Sequence, residues 1–118
     1  MAFSRPPLSP SVTAFLARRG QGQGLLIDGE WLGEGSETFA TLDPALGEQI
    51  GVLPRGGAAE VDAAVAAARA ALAGWKATTP IKRAKILWAA ADLIEAHIDE
   101  LAEIETLDQG KPLFVGRW

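Results

Sequence analysis

The spacing of apolar positions changes once from Leu25 onward. From Leu25 to Leu53 they come in short runs broken by turn residues, and from Ala58 onward they recur at three- and four-residue spacing. The first pattern predicts short strands and the second predicts amphipathic helices. Leu25-Leu26-Ile27 and Glu30-Trp31-Leu32 flank Asp28-Gly29, a pair suited to a type I′ turn because both central residues need positive φ. Thr38 to Leu42 reads as a third strand, Asp43-Pro44-Ala45-Leu46-Gly47 as a turn, and Gln49 to Leu53 as a last strand ended by Pro54. Beyond it, Val61, Ala64, Val65, Ala68, Leu72 and Trp75 form one helical stripe. Thr79-Pro80 opens the next helix as N-cap and first residue, with Ala84, Leu87, Ala91, Ile94 and Ile98 as its expected buried stripe. A break is expected near His97, with Asp99 capping a final helical stretch that carries Leu101, Ile104 and Leu107 and stops at Gly110 and Pro112.

Upstream, Ser9-Pro10 offers an N-cap and first helical residue. Val12, Phe15 and Leu16 share a face, and Gly20 is the expected C-cap. Residues 1–8 read as a loosely held start and Gln21 to Gly24 as a flexible linker. The element order alone is helix, strands, then helices, which would be α+β.

A chain of 118 residues that is 48% hydrophobic and 22% charged is expected to be one soluble globular unit at most. Its net charge of −4 disfavours nucleic acid, which selects a basic face. The apolar stretches are Ala-rich and interrupted by charge, so no membrane span is expected, and the N-terminus lacks the apolar core of a signal peptide. The expected compartment is cytoplasmic. The absence of cysteine excludes disulfides, Cys-ligated zinc and a thiolate nucleophile within these residues.

Candidate chemistry thins out on inspection. The glycines of residues 20–24 follow a helix and precede a hairpin, the reverse of a dinucleotide loop, so a linker explains them. Arg55-Gly56-Gly57 lies between a strand and a helix, where free amides hold anions, but no βαβ unit with a ribose-binding acid follows. Gly110-Lys111 lacks the first glycine and the hydroxyl residue of a P-loop. His97 is the only histidine and is expected to face solvent at a helix boundary. Glu100, Glu103, Glu105 and Asp108 lie along one helix and read as a solvated acidic surface rather than a facing hydrolytic pair. Asp108 stands apart from these, at the helix exit, where local amides could fix its carboxylate.

Taken as an ordered set, several pieces resemble the aldehyde dehydrogenase superfamily. Ile27-Asp28-Gly29-Glu30-Trp31 resembles the family's opening hairpin. Asp43-Pro44-Ala45-Leu46-Gly47-Glu48 resembles its Asn-Pro-Ala-Thr-Gly-Glu turn, with departures at residues 43 and 46. Val61 to Trp75 and Arg83 to Ala102 look like its first two long helices, with Lys82 where a glutamate is common. Glu105-Thr106-Leu107-Asp108-Gln109-Gly110-Lys111-Pro112 matches closely. Residues 11–16 are similar to the N-terminal extension of some members.

The resemblance implies an α/β fold: the N-terminal part of an aldehyde dehydrogenase-like, Rossmann-like architecture. Residues 1–24 would be an extension and 25–118 an incomplete N-terminal segment of the cofactor-binding domain. It implies, for a full-length relative, oxidation of an aldehyde to a carboxylic acid with NAD or NADP. There a cysteine thiolate attacks, hydride passes to the cofactor, and a glutamate activates water. This chain offers no catalytic or cofactor-binding residue for that chemistry and is expected to be incompetent alone. The resemblance also implies a structural K⁺ or Na⁺ held at Thr41, Leu42 and Asp108, main-chain carbonyls and a carboxylate being suitable donors for a hard cation. The alternative is a small non-enzymatic interaction module pairing through strand edges. Self-association or a homo-oligomer is the further expectation for the incomplete segment, because apolar faces and strand edges lack cover.

Overall fold

The computed structural model describes residues 5–19, 24–32 and 37–117. Gly20 as a C-cap, and most of the predicted linker, lie outside them. Helix α1 runs Pro10–Arg19; strands β1 (Leu25–Ile27), β2 (Glu30–Leu32), β3 (Thr38–Leu42) and β4 (Gln49–Pro54) follow. Helices α2 (Ala58–Ala77), α3 (Pro80–Ala96), α4 (Ile98–Gln109) and α5 (Leu113–Gly116) complete the chain, the last a single turn that the sequence did not suggest.

The strands make two separate antiparallel hairpins, β1–β2 and β3–β4. In the first, Leu26 pairs with Trp31, and Asp28 (φ 54) and Gly29 (φ 80) both take the positive φ that the tight turn requires. In the second, Thr41 faces Gly51 while Leu42 faces Gln49, so the register steps between them and Ile50 is left over opposite the step.

Three helix starts are fixed by capping contacts. The Ser9 hydroxyl accepts from the Val12 amide at 3.4 Å, as expected. At α2 the Glu60 carboxylate reaches back to the Gly57 amide at 2.8 Å, and at α3 Thr79 accepts from the Lys82 amide. Helix α4 differs from the expectation. His97 both closes α3 and begins α4, with no side-chain cap, so Asp99 is not the cap. Asp99 instead pairs with Arg117 at 2.7 Å.

The core is small and lies where α1, β4 and α4 meet. Val12 and Ala102 are fully buried, Leu107 is 4% exposed, and the carboxylate residue Asp43 is 3% exposed. Helix α5 closes on α4 so tightly that a β-carbon at Gly116 would sit 3.1 Å from Ala102. The stripe expected to be buried on α3 is open: Leu87 is 62% and Ile94 55% exposed, and α2 and α3 bury no residue fully. The periodicity was right about the helix, but a stripe is buried only where a second surface meets it. Among the described residues no helix is long and apolar enough to cross a membrane.

Candidate functional site

Asp108 sits on the last turn of α4, whose exit is made by Gly110 in the left-handed conformation (φ 72). A β-carbon at Gly110 would lie 3.0 Å from Cγ of Pro44, so the exit is pressed against the Asp43–Gly47 turn. The Thr41 hydroxyl, from β3, donates to Asp108 Oδ1 at 2.7 Å across 67 residues. The carboxylate is therefore held by a side chain from a distant strand and not by the local amides expected from sequence. Leu42 follows Thr41 at the register step and is half exposed. Two of the three expected ion-site residues are thus in contact, and the third is their chain neighbour. The available donors are hard oxygens. Among the described residues no three His, Cys, Asp or Glu side chains gather, so any ion here depends on main-chain carbonyls.

The next residue, Asp43, is the buried charge. Its Oδ1 accepts from the Ala45 amide at 2.8 Å, and its Oδ2 accepts from Arg5 Nη1 at 2.9 Å. Sequence reasoning missed Arg5 by placing it in a loose start. Residues 5–9 are tied down at both ends, because Glu103 takes the Ser9 amide at 2.8 Å and the Ser9 hydroxyl as well. The one available signal was an acid at residue 43 where the resembling turn has a neutral amide.

The other candidates acquire structural partners. Lys111 Nζ pairs with Glu105 at 2.6 Å, and His97, mostly exposed, lies 3.4 Å from Glu100. Glu100, Glu103, Glu105 and Asp108 each have a partner of their own, Asp108 remaining exposed and the other three part-buried, and none faces another as a hydrolytic pair. Glu60 engages the Gly57 amide, which leaves Arg55-Gly56-Gly57 as a strand-to-helix connection. An open cleft of about 600 Å³ runs between residues 5–9 and α4–α5, with Leu107 and Leu113 in its walls. Its cations, Arg5, Lys111 and Arg117, are all paired with carboxylates.

A helix, two hairpins and a helical run, with a Thr–Asp contact beside an Asp-Pro turn, make up a mixed helix-and-strand unit. The model of the aldehyde dehydrogenase family matches residues 31–117. The succinate-semialdehyde dehydrogenase [NADP(+)] of Escherichia coli is 45% identical over 92 residues, covering 77% of this chain and 19% of that protein. A variant of the Bacillus cereus aldehyde dehydrogenase superposes with TM-score 0.84 at 38% identity, over 95% of this chain and 23% of the other. The NAD⁺ complex of the Bacillus cereus enzyme gives 0.82 at 39%, over 92% and 22%. The chain belongs to the aldehyde dehydrogenase family, and its fold is that of the N-terminal part of those structures. It spans about a fifth of the length of the relatives it matches.

Proposed function

We propose that this chain supplies the N-terminal part of an NAD(P)-dependent aldehyde dehydrogenase and carries none of its reacting groups. Residues 25–118 would belong to the cofactor-binding domain, residues 1–24 would form an extension, and the setting would be cytoplasmic. The observation that carries this reading is a family match through residues 31–117 in a chain with no cysteine. Without a thiolate the covalent step has no nucleophile, and aldehyde oxidation belongs to the longer protein. The purified 118-residue chain, incubated with aldehydes and either NAD or NADP, is expected to form no reduced cofactor above a heat-treated control. Turnover above that control would overturn the reading.

The same reading extends to a K⁺ or Na⁺ ion at Thr41, Leu42 and Asp108. Support comes from the Asp108 carboxylate already lying against Thr41, beside a step where the strand ladder is irregular. Bound there, the ion would offset the carboxylate's charge and tie α4 to β3. An ion held only by the folded state adds about 2.7 kcal/mol at a hundredfold excess over its dissociation constant. The melting temperature of the expressed protein should therefore rise with KCl but not with choline chloride, and Asp108→Ala should abolish the difference. A mutant with the wild-type salt response would leave Asp108 as a Thr41 partner alone.

One observation favours a second reading, a module that pairs through strand edges. Each hairpin is a two-stranded sheet with no third strand joining it among the described residues.

A further inference from the structure

Asp43 has surroundings that a surface turn does not require. It directly follows Leu42, so its backbone continues the pair of residues assigned above to the cation. Its side chain is almost completely buried, with one oxygen on the Ala45 amide and the other on Arg5. The turn it opens is fixed by main-chain bonds from the Asp43 amide to the Glu48 carbonyl and from the Gly47 amide to the Asp43 carbonyl. That turn is pressed against the exit of α4 at Gly110, within two residues of Asp108. An asparagine at residue 43 could keep the Ala45 bond, but it would aim its own N–H donors at the guanidinium or give up that contact's charge. Aspartate and arginine are matched as a pair, and the pair fastens residues 5–9 to the turn that directly follows Thr41 and Leu42.

We propose that Arg5 and Asp43 are positioning residues for the cation site. Arg5 holds the Asp43 carboxylate, and Asp43 sets the path of the main chain through Thr41 and Leu42. The proposal rests on the cation reading and assigns neither residue a contact with the ion. Removing the Arg5 charge outright would favour any nearby cation and confuse the outcome, so the informative changes conserve charge. Arg5→Lys keeps the charge and loses the planar fork, while Asp43→Glu keeps the charge and displaces the carboxylate by a methylene.

The test is sodium NMR line broadening on the intact expressed protein, titrated with NaCl and competed with KCl. It is applied to the wild type, Asp43→Glu, Arg5→Lys and Thr13→Ser, the last an exposed change on α1. Asp43→Glu is expected to weaken sodium binding about tenfold, the worth of one charge-assisted hydrogen bond. Arg5→Lys should weaken it less, and Thr13→Ser should match the wild type. If Asp43→Glu fails to fold, Arg5→Lys carries the test. Wild-type affinity in the charge-conserving variants, even with a lower melting temperature, would reduce the pair to a stabilising contact and overturn the proposal. A wild type that binds no sodium would instead remove the cation reading, and the proposal with it.

Discussion

Purified alone, the chain is expected to bind an apolar-surface dye strongly and to elute as associated species whose size grows with concentration. The cause is α3. Ile81 and Trp88, Ile86 and Leu93, and Leu87 and Ile94 are three pairs seven residues apart, so they form ridges on three sides of the helix. All six side chains are more than half exposed, from 53% at Ile86 to 72% at Ile81. Of its five charged residues, Lys82, Lys85 and Asp92 share one strip, and the other two stand near its ends, Arg83 turned back onto the Thr78 carbonyl and Glu95 in the last turn. A helix apolar on nearly every side is a buried helix in its finished setting. Each large side chain that finds cover contributes about 1.5–3 kcal/mol, against a total domain stability of about 5–15 kcal/mol. Replacing Leu87 and Ile94 with glutamate should cut dye binding and shift the chain toward monomer. A monomer with a sharp cooperative melt and no dye binding would count against this expectation and in favour of a self-sufficient module.

The second large effect is a contrast between two leucines. Leu107 is 4% exposed and packs in the small core of the described residues, whereas Leu87 is 62% exposed. Leu107→Ala should cost about 2–5 kcal/mol, enough to abolish a cooperative melt in a chain with so little core. Leu87→Ala, made in the same chain and measured at concentrations too low for association, should change stability by no more than about 0.5 kcal/mol. Urea titrations followed by helical circular dichroism would measure both. Equal losses at the two positions would mean that α3 is covered after all, by another copy. In a longer protein whose added sequence covers α3, the two costs should converge.

Local chemistry made much of this fold readable in advance. Asp28-Gly29, Thr79-Pro80 and Gly110 each act through backbone geometry within a few residues, and each does in the structure what its type dictates. The periodicity beyond Ala58 identified helices correctly, but it reports a pattern and not a partner. It therefore assigned burial to Leu87 and Ile94, which have no cover, and registered one of the three ridges of α3. The candidate site divides in the same way. Thr41, Leu42 and Asp108 were legible because they lie in pieces that resemble a known family, and two of them proved to be in contact. Arg5 and Glu103 were not legible. Their partners, Asp43 and Ser9, are 38 and 94 residues away, and no local propensity encodes a separation of that size.

The contact between Ser9 and Glu103 carries a consequence for the order of events during synthesis. Helix α1, made before the other described helices, has its start completed by a carboxylate from α4, 94 positions later. Until α4 emerges, the ten residues of α1 must persist without that contact and without the core that buries Val12, a length at which an isolated helix is marginal in water. Closing so long a loop also comes late, because its entropy must be met before the contact returns anything. Helix α1 should therefore remain a fluctuating segment on nascent chains that end before α4. It should gain protection from hydrogen exchange in the same step in which α4 docks, so that a helix made early is one of the last to settle.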